Sequence, residues 1–201
     1  MDLNTTSLLA TSGLLLALGF RHGLDPDHIA AVDGMTRLRH KGSAYWQARL
    51  TGFQFAAGHS LTILLATFVF YMHGIQLPEW LDAVGLWIST CFLVWLAYRN
   101  LKFCFSGHDD HHHAGSPLQR KILQALGPFA HPMGVGFGFA ISFDSLAQAG
   151  LMAAKGHELG GLFAIVALAL SFGMGMTLAD TSNGLLMHWL VHRSHALAHN
   201  A

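Results

Sequence analysis

The chain has 201 residues, 52% of them hydrophobic and only 11% charged, with a mean hydropathy of +0.41 and a formal net charge of zero. A soluble domain usually carries about 25% charged residues, so this shortage argues for lipid as the main solvent. Zero net charge offers no basic surface for nucleic acid and no strong acidic field.

The first apolar stretch, at 7–20, lies within MDLNTTSLLATSGLLLALGF. It lacks the basic n-region and the A-x-A cleavage site of a secretory signal, and reads as a retained membrane helix. Residues 21–37, RHGLDPDHIAAVDGMTR, are too polar to face lipid, where a central charge costs roughly 3 kcal/mol or more. They are expected to cross as a second helix covered by its neighbours and broken at Pro26, which removes a backbone donor. Broken helices are tolerated where the backbone lines a cavity. Apolar stretches at 46–73, 79–103, 129–154 and 161–190 complete six spans, each near the ~20 residues that a crossing needs.

The expected fold class is therefore an all-α integral membrane protein with one transmembrane domain over 1–201 and a His-rich cytoplasmic loop at about 104–127. Arg37, Arg39, Lys41 and Arg49 share one loop, and Arg99, Lys102, Arg120 and Lys121 lie in or beside another. With Arg193 in the tail, and only Arg21 and Lys155 opposed, the positive-inside rule puts both termini in the cytoplasm of a multi-pass cytoplasmic (inner) membrane protein.

A weak repeat runs through these spans. At an offset of 117, Gly19-Phe20 falls on Gly136-Phe137, Asp27 on Asp144, and Gly58-His59-Ser60-Leu61 on Gly175-Met176-Thr177-Leu178. Halves of three spans each, about 1–75 and 76–192, would be inverted relative to one another. Inverted repeats with discontinuous helices near the midplane recur among transporters.

The polar residues inside this scaffold carry the chemistry. Histidine is the commonest metal ligand, and there are 15 against 11 lysines plus arginines. His22, Asp27 and His28 form H-x4-D-H, with Asp25 between them and Asp33 beyond. On an unbroken helix His22 and His28 would point about 120° apart, and a break at Pro26 lets them turn toward one centre. His59, in the GHS of the third span, is the best fourth ligand. Asp144 and Asp180 are candidates for ligands, for acceptors that orient the histidines, or for proton carriers, and Thr177 for the lining of a pathway. A buried hydrogen-bonded network that only holds helices together is the alternative, but ionisable groups clustered inside a membrane mark functional sites.

HDDHHH at 108–113 has the composition of a metal-buffering or sensing tract. Met174 and Met176 read as packing. Cys91 and Cys104 lack the spacing of a metal or redox motif.

RHGLDPDHIAAVD resembles the signature R-H-x-x-D-x-D-H-I of the nickel/cobalt transporter (NiCoT) family. GHS, FDS and GMTLADTSNG look like that family's further motifs in the same order. The resemblance implies secondary uptake of Ni²⁺ or Co²⁺ as the transported ion, with no prosthetic group, and with His22, Asp27 and His28 essential. Two departures stand beside it. ISFDSLAQA carries Gln148 where the family has an acidic residue, and the family has eight spans rather than six.

Other readings stay open: a nickel/cobalt exporter, a carrier of another divalent metal, or a metal sensor or transport-complex subunit. Homo-oligomer partners are equally open. An intramembrane enzyme is disfavoured, because H-E-x-x-H, a reactive cysteine pair and G-x-S-x-G are all absent.

Overall fold

The computed structural model describes residues 3–40, 45–74 and 131–199, together with residues 80, 87, 90, 91, 94 and 98. Most of the expected span at 79–103, and all of 104–127 with its HDDHHH tract, lie outside the described residues. The described elements are all helical: α1 (Leu3–Gly23), α2 (Pro26–His40), α3 (Tyr45–Ala48), α4 (Thr51–His73), α5 (Pro132–Phe139), α6 (Phe143–Leu159) and α7 (Leu162–His199).

α1 and α2 meet at a two-residue turn with a bend of 57°. Pro26 has no N–H to return to the His22 carbonyl four residues back. That carbonyl instead accepts from the Asp25 amide at 3.0 Å, and the Arg21 carbonyl accepts from the Leu24 amide at 3.0 Å. Proline fits the first position of α2, where its missing donor would have no intrahelical partner anyway. α5 and α6 meet in the same manner, with a bend of 70°. There the Gly138 and Phe139 carbonyls accept from the Ile141 and Ser142 amides at 3.2 and 3.0 Å.

α4 and the Leu162–Arg193 part of α7 are each long and apolar enough to cross a membrane. The two bent pairs meet that standard as pairs, which gives two crossings among the described residues, or four if each bent pair is one. The polar segment 21–37, expected as a span of its own, is thus the second arm of a bent pair. α4 stops at Gly74, whose φ of 60° suits a residue without a Cβ and lets its amide cap the Phe70 and Tyr71 carbonyls.

α7 is the central helix and packs against α1, α2, α4 and α6, while α4 also packs on α5 and α6. Leu15, Ile63, Met152, Leu168, Phe172 and Met176 form the main buried cluster. Large apolar side chains also cover the outside, among them Leu14, Leu65, Phe163, Leu170, Leu178 and Trp189. An apolar exterior around an apolar core is what a lipid solvent allows.

Several crossings are held backbone to backbone, and at one of them a Cβ on Gly52 of α4 would run into the Asp180 carbonyl of α7. A Cβ on Gly19 would run into the Phe172 carbonyl, and one on Gly175 into the Leu16 carbonyl, so α1 and α7 touch without side chains between them. Likewise a Cβ on Gly136 would strike the Phe55 carbonyl and one on Gly58 the Met133 carbonyl, joining α4 to α5.

Candidate metal centre

His22 lies in the last turn of α1 and His28 in the first turn of α2, so the bend between these helices faces one ring toward the other. Their ring centroids are 4.7 Å apart. His59, from the middle of α4, completes the group, with centroids 4.8 Å from His28 and 5.5 Å from His22. One nitrogen from each ring lies within 4.8 Å of the others. Ligands on a metal at ~2.1 Å would be about 3–3.5 Å apart, so small ring rotations close this group around an ion. His28 and His59 are each 1% exposed. Phe55 and Phe139 pack edge-on against His28, and Phe172 lies against His22, so an apolar wall backs the imidazoles.

The outer contacts of these rings follow a metal-site pattern. His28 Nδ1 lies 3.3 Å from both carboxylate oxygens of Asp180, itself fully buried on α7. His22 Nδ1 lies 3.3 Å from Asp25 and 3.2 Å from Asp144, at the head of α6. A carboxylate that takes the Nδ1–H of a histidine fixes its tautomer and leaves Nε2 with a lone pair for a metal. His59 Nε2 lies 3.0 Å from Ser145 Oγ, which is in turn 3.0 Å from Ser142 Oγ.

Two nitrogens of the group, His22 Nε2 and His59 Nδ1, are buried without a partner. An unsatisfied buried polar atom costs about 1–3 kcal/mol. Helix-holding networks normally satisfy such atoms, and a cation held here would supply what these two lack.

A second group, His22, Asp25 and Asp144, adjoins the first and shares His22. Asp25 and Asp144 are 44% and 50% exposed, so this side is open where the imidazole side is closed.

The remaining candidate residues sit elsewhere. Asp27 belongs to neither group, and its Oδ1 accepts from the His28 amide at 2.9 Å. Asp33 pairs with Arg37 at 2.7 Å on an exposed face of α2. Thr177 donates to the Gly173 carbonyl of its own helix at 2.7 Å.

Ser142 is no candidate in sequence and Ser145 enters only as part of the FDS motif, yet Ser145 contacts His59. The expected offset of 117 offers a signal for it, because Ser145 lies 117 positions after His28. If the group holds a divalent metal ion, Ser145→Ala is expected to weaken its binding about tenfold, as loss of an outer contact typically does, and Ser145→Thr to restore it. Isothermal titration of the purified protein checks both; equal affinity in all three would remove Ser145 from the site.

No family model matches the chain, and no solved structure does. Curated relatives match nine tenths of it. The hydrogenase nickel incorporation protein HupN of Bradyrhizobium diazoefficiens is 30% identical over 90% of this chain and 54% of its own length. The nickel transporter NixA of Staphylococcus aureus is 27% identical over 88% of this chain and 60% of its own. The cobalt transport protein NhlF of Rhodococcus rhodochrous is 28% identical over 89% and 60%. The chain therefore spans little more than half the length of these relatives.

Proposed function

We propose, for a chain that belongs to the nickel/cobalt transporter family, that it carries Ni²⁺ or Co²⁺ inward across the cytoplasmic membrane through His22, His28 and His59. One observation carries the reading: three imidazoles from separate helices, two of them with Nδ1 on a carboxylate, converge at a buried point with unpartnered nitrogens. Imidazole and carboxylate donors suit nickel, cobalt and zinc alike. The names of the relatives favour the first two. Asp25 and Asp144 take the ion at the open side and pass it across His22. Asp27 joins as a ligand when its carboxylate releases the His28 amide. Asp33 and Thr177 flank the pathway without touching the ion.

The inverted repeat is part of this reading, and the packing supports it. Gly19 against Phe172 and Gly136 against Phe55 are the same contact moved by 117 positions, with the partners exchanged. Gly175 against Leu16 and Gly58 against Met133 repeat that relation. α2 shifted by the same offset begins at residue 143, where α6 begins. The basic end, with Arg37, Arg39, Arg49 and Arg193, faces the cytoplasm.

Reconstituted vesicles loaded with a metal-sensitive dye test substrate and direction together. A rise in signal with external nickel or cobalt is the expected result. A flat response to every metal would favour a sensor or a transport-complex subunit, and an outward gradient dependence would favour an exporter. In the same assay Asp144→Asn is expected to raise the half-saturating nickel concentration about tenfold while leaving the maximal rate near wild type, since it removes an open-side donor. A change in maximal rate alone would remove Asp144 from ion capture.

A further inference from the structure

Three buried stripes leave the imidazole group toward the basic end of the protein. On α2, His28, Val32 and Thr36 follow one another at helical spacing, and each is at most 1% exposed. On α4, which runs the other way, His59, Phe55 and Thr51 do the same. On α7 the stripe is Asp180, Gly184 and His188, all buried.

Contacts bring the three stripes into one seam. A Cβ on Gly184 would meet the Gly52 amide nitrogen at 3.0 Å and the Val32 side chain at 3.5 Å. Further along, Arg49 donates to His188 Nε2 at 3.2 Å and Arg39 to Gln54 at 2.8 Å.

At the far end of this seam two hydroxyls are without partners. Thr36 and Thr51 are both 0% exposed, and the Oγ1 of each is buried with no hydrogen bond. Three other threonines of these helices behave differently, while Thr181 of α7 also has its Oγ1 buried without a partner. Thr62, Thr67 and Thr177 each return their hydroxyl to the carbonyl four residues back, at 3.0, 2.8 and 2.7 Å. Thr36 could do the same to the Val32 carbonyl and does not. Eight residues of helix put this level about 12 Å from the imidazoles on both α2 and α4.

We infer that Thr36 and Thr51 form a second, weak station for the ion, and that the Val32, Gly52 and Gly184 contact is the constriction between it and the imidazole group. This rests on the transport reading above. Neutral hydroxyl oxygens hold a hydrated divalent ion loosely, which suits a step on the way out rather than a storage site. The glycines bring the three helices together, so a small separation there opens or shuts the path.

Thr36→Val with Thr51→Val tests this, because valine keeps the volume and removes only the hydroxyls. The expected result is nickel binding to the purified protein within twofold of wild type, with the initial rate of nickel entry into dye-loaded vesicles down at least about tenfold. Serine at both positions should restore the rate. If the double variant does not insert, the single variants carry the same comparison, with retained nickel binding as the control for folding. Unchanged entry in vesicles where the wild type transports would overturn the station and leave the transport reading intact. Silent wild-type vesicles would instead bring down the transport reading, and the station with it.

Discussion

Alanine at His28 is expected to abolish accumulation of radioactive nickel and cobalt in cells, while the protein still reaches the membrane. His28 is the middle ring of the three, 4.7 Å from His22 and 4.8 Å from His59 by centroid. Its loss removes one of the three proposed ligands and also strands Asp180, a carboxylate with 0% exposure that has His28 as its partner. Leaving a buried charge uncompensated typically costs about 3–5 kcal/mol, so some loss of stability should accompany the loss of transport. Asp180→Asn separates the two effects. It keeps a hydrogen-bonding group beside His28 while removing the charge, and should weaken nickel binding by about 10–100-fold without that stability cost. Undiminished uptake in the alanine variant, at wild-type protein levels, would remove His28 from the ion's path.

The second large effect is structural. Gly136→Val should unfold the crossing between α5 and α4, while Gly138→Val, two residues on in the same helix, should be tolerated. A Cβ at Gly136 runs into the Phe55 carbonyl, whereas at Gly138 nothing lies within 4 Å. Overpacking usually costs about 1–3 kcal/mol because side chains can shift. Here the obstacle is backbone, so relief requires moving α4 itself. That would carry His59 away from His22 and His28. Thermal melting of the purified protein in detergent gives the comparison, with the valine at 136 lowering the midpoint far more than the valine at 138. Similar midpoints for the two would mean that the close crossing is not needed for stability.

How much of this was readable beforehand differs by level. His22, His28 and His59 could be singled out from sequence because ionisable residues are scarce in apolar helices, and the structure brings those three rings together. The carboxylates were harder to sort. Asp27 and Asp180 look alike as single acids in or beside a helix, yet Asp180 is buried against His28 and Asp27 holds an amide on its own helix. Periodicity gives the face on which a side chain lies but not its partner across the bundle. The same limit hid Ser145, whose role depends on α6 starting beside α4. Pro26 marks a place where the helix must change its hydrogen bonding. Sequence could not say whether the chain then turns back or carries on at an angle, because that is set by the helices packed around the turn. The 57° bend makes one bent pair of what was expected as two spans.

Four of the glycine contacts also bear on how such a molecule could move. Where two backbones touch, no side-chain rotamer is available to absorb sliding, so α1 with α7 and α4 with α5 behave as two rigid struts. The short turns at Leu24–Asp25 and Ala140–Ser142, where the helical hydrogen-bond ladder is already interrupted, are places where the arms can yield. Asp25, Ser142 and the neighbours His22, His28, Asp144 and Ser145 all lie in or within a turn of those hinges. The groups that would grip the cargo and the joints that would re-aim the arms are thus the same few residues, so on the transport reading loading an ion would itself be a mechanical event at the hinge.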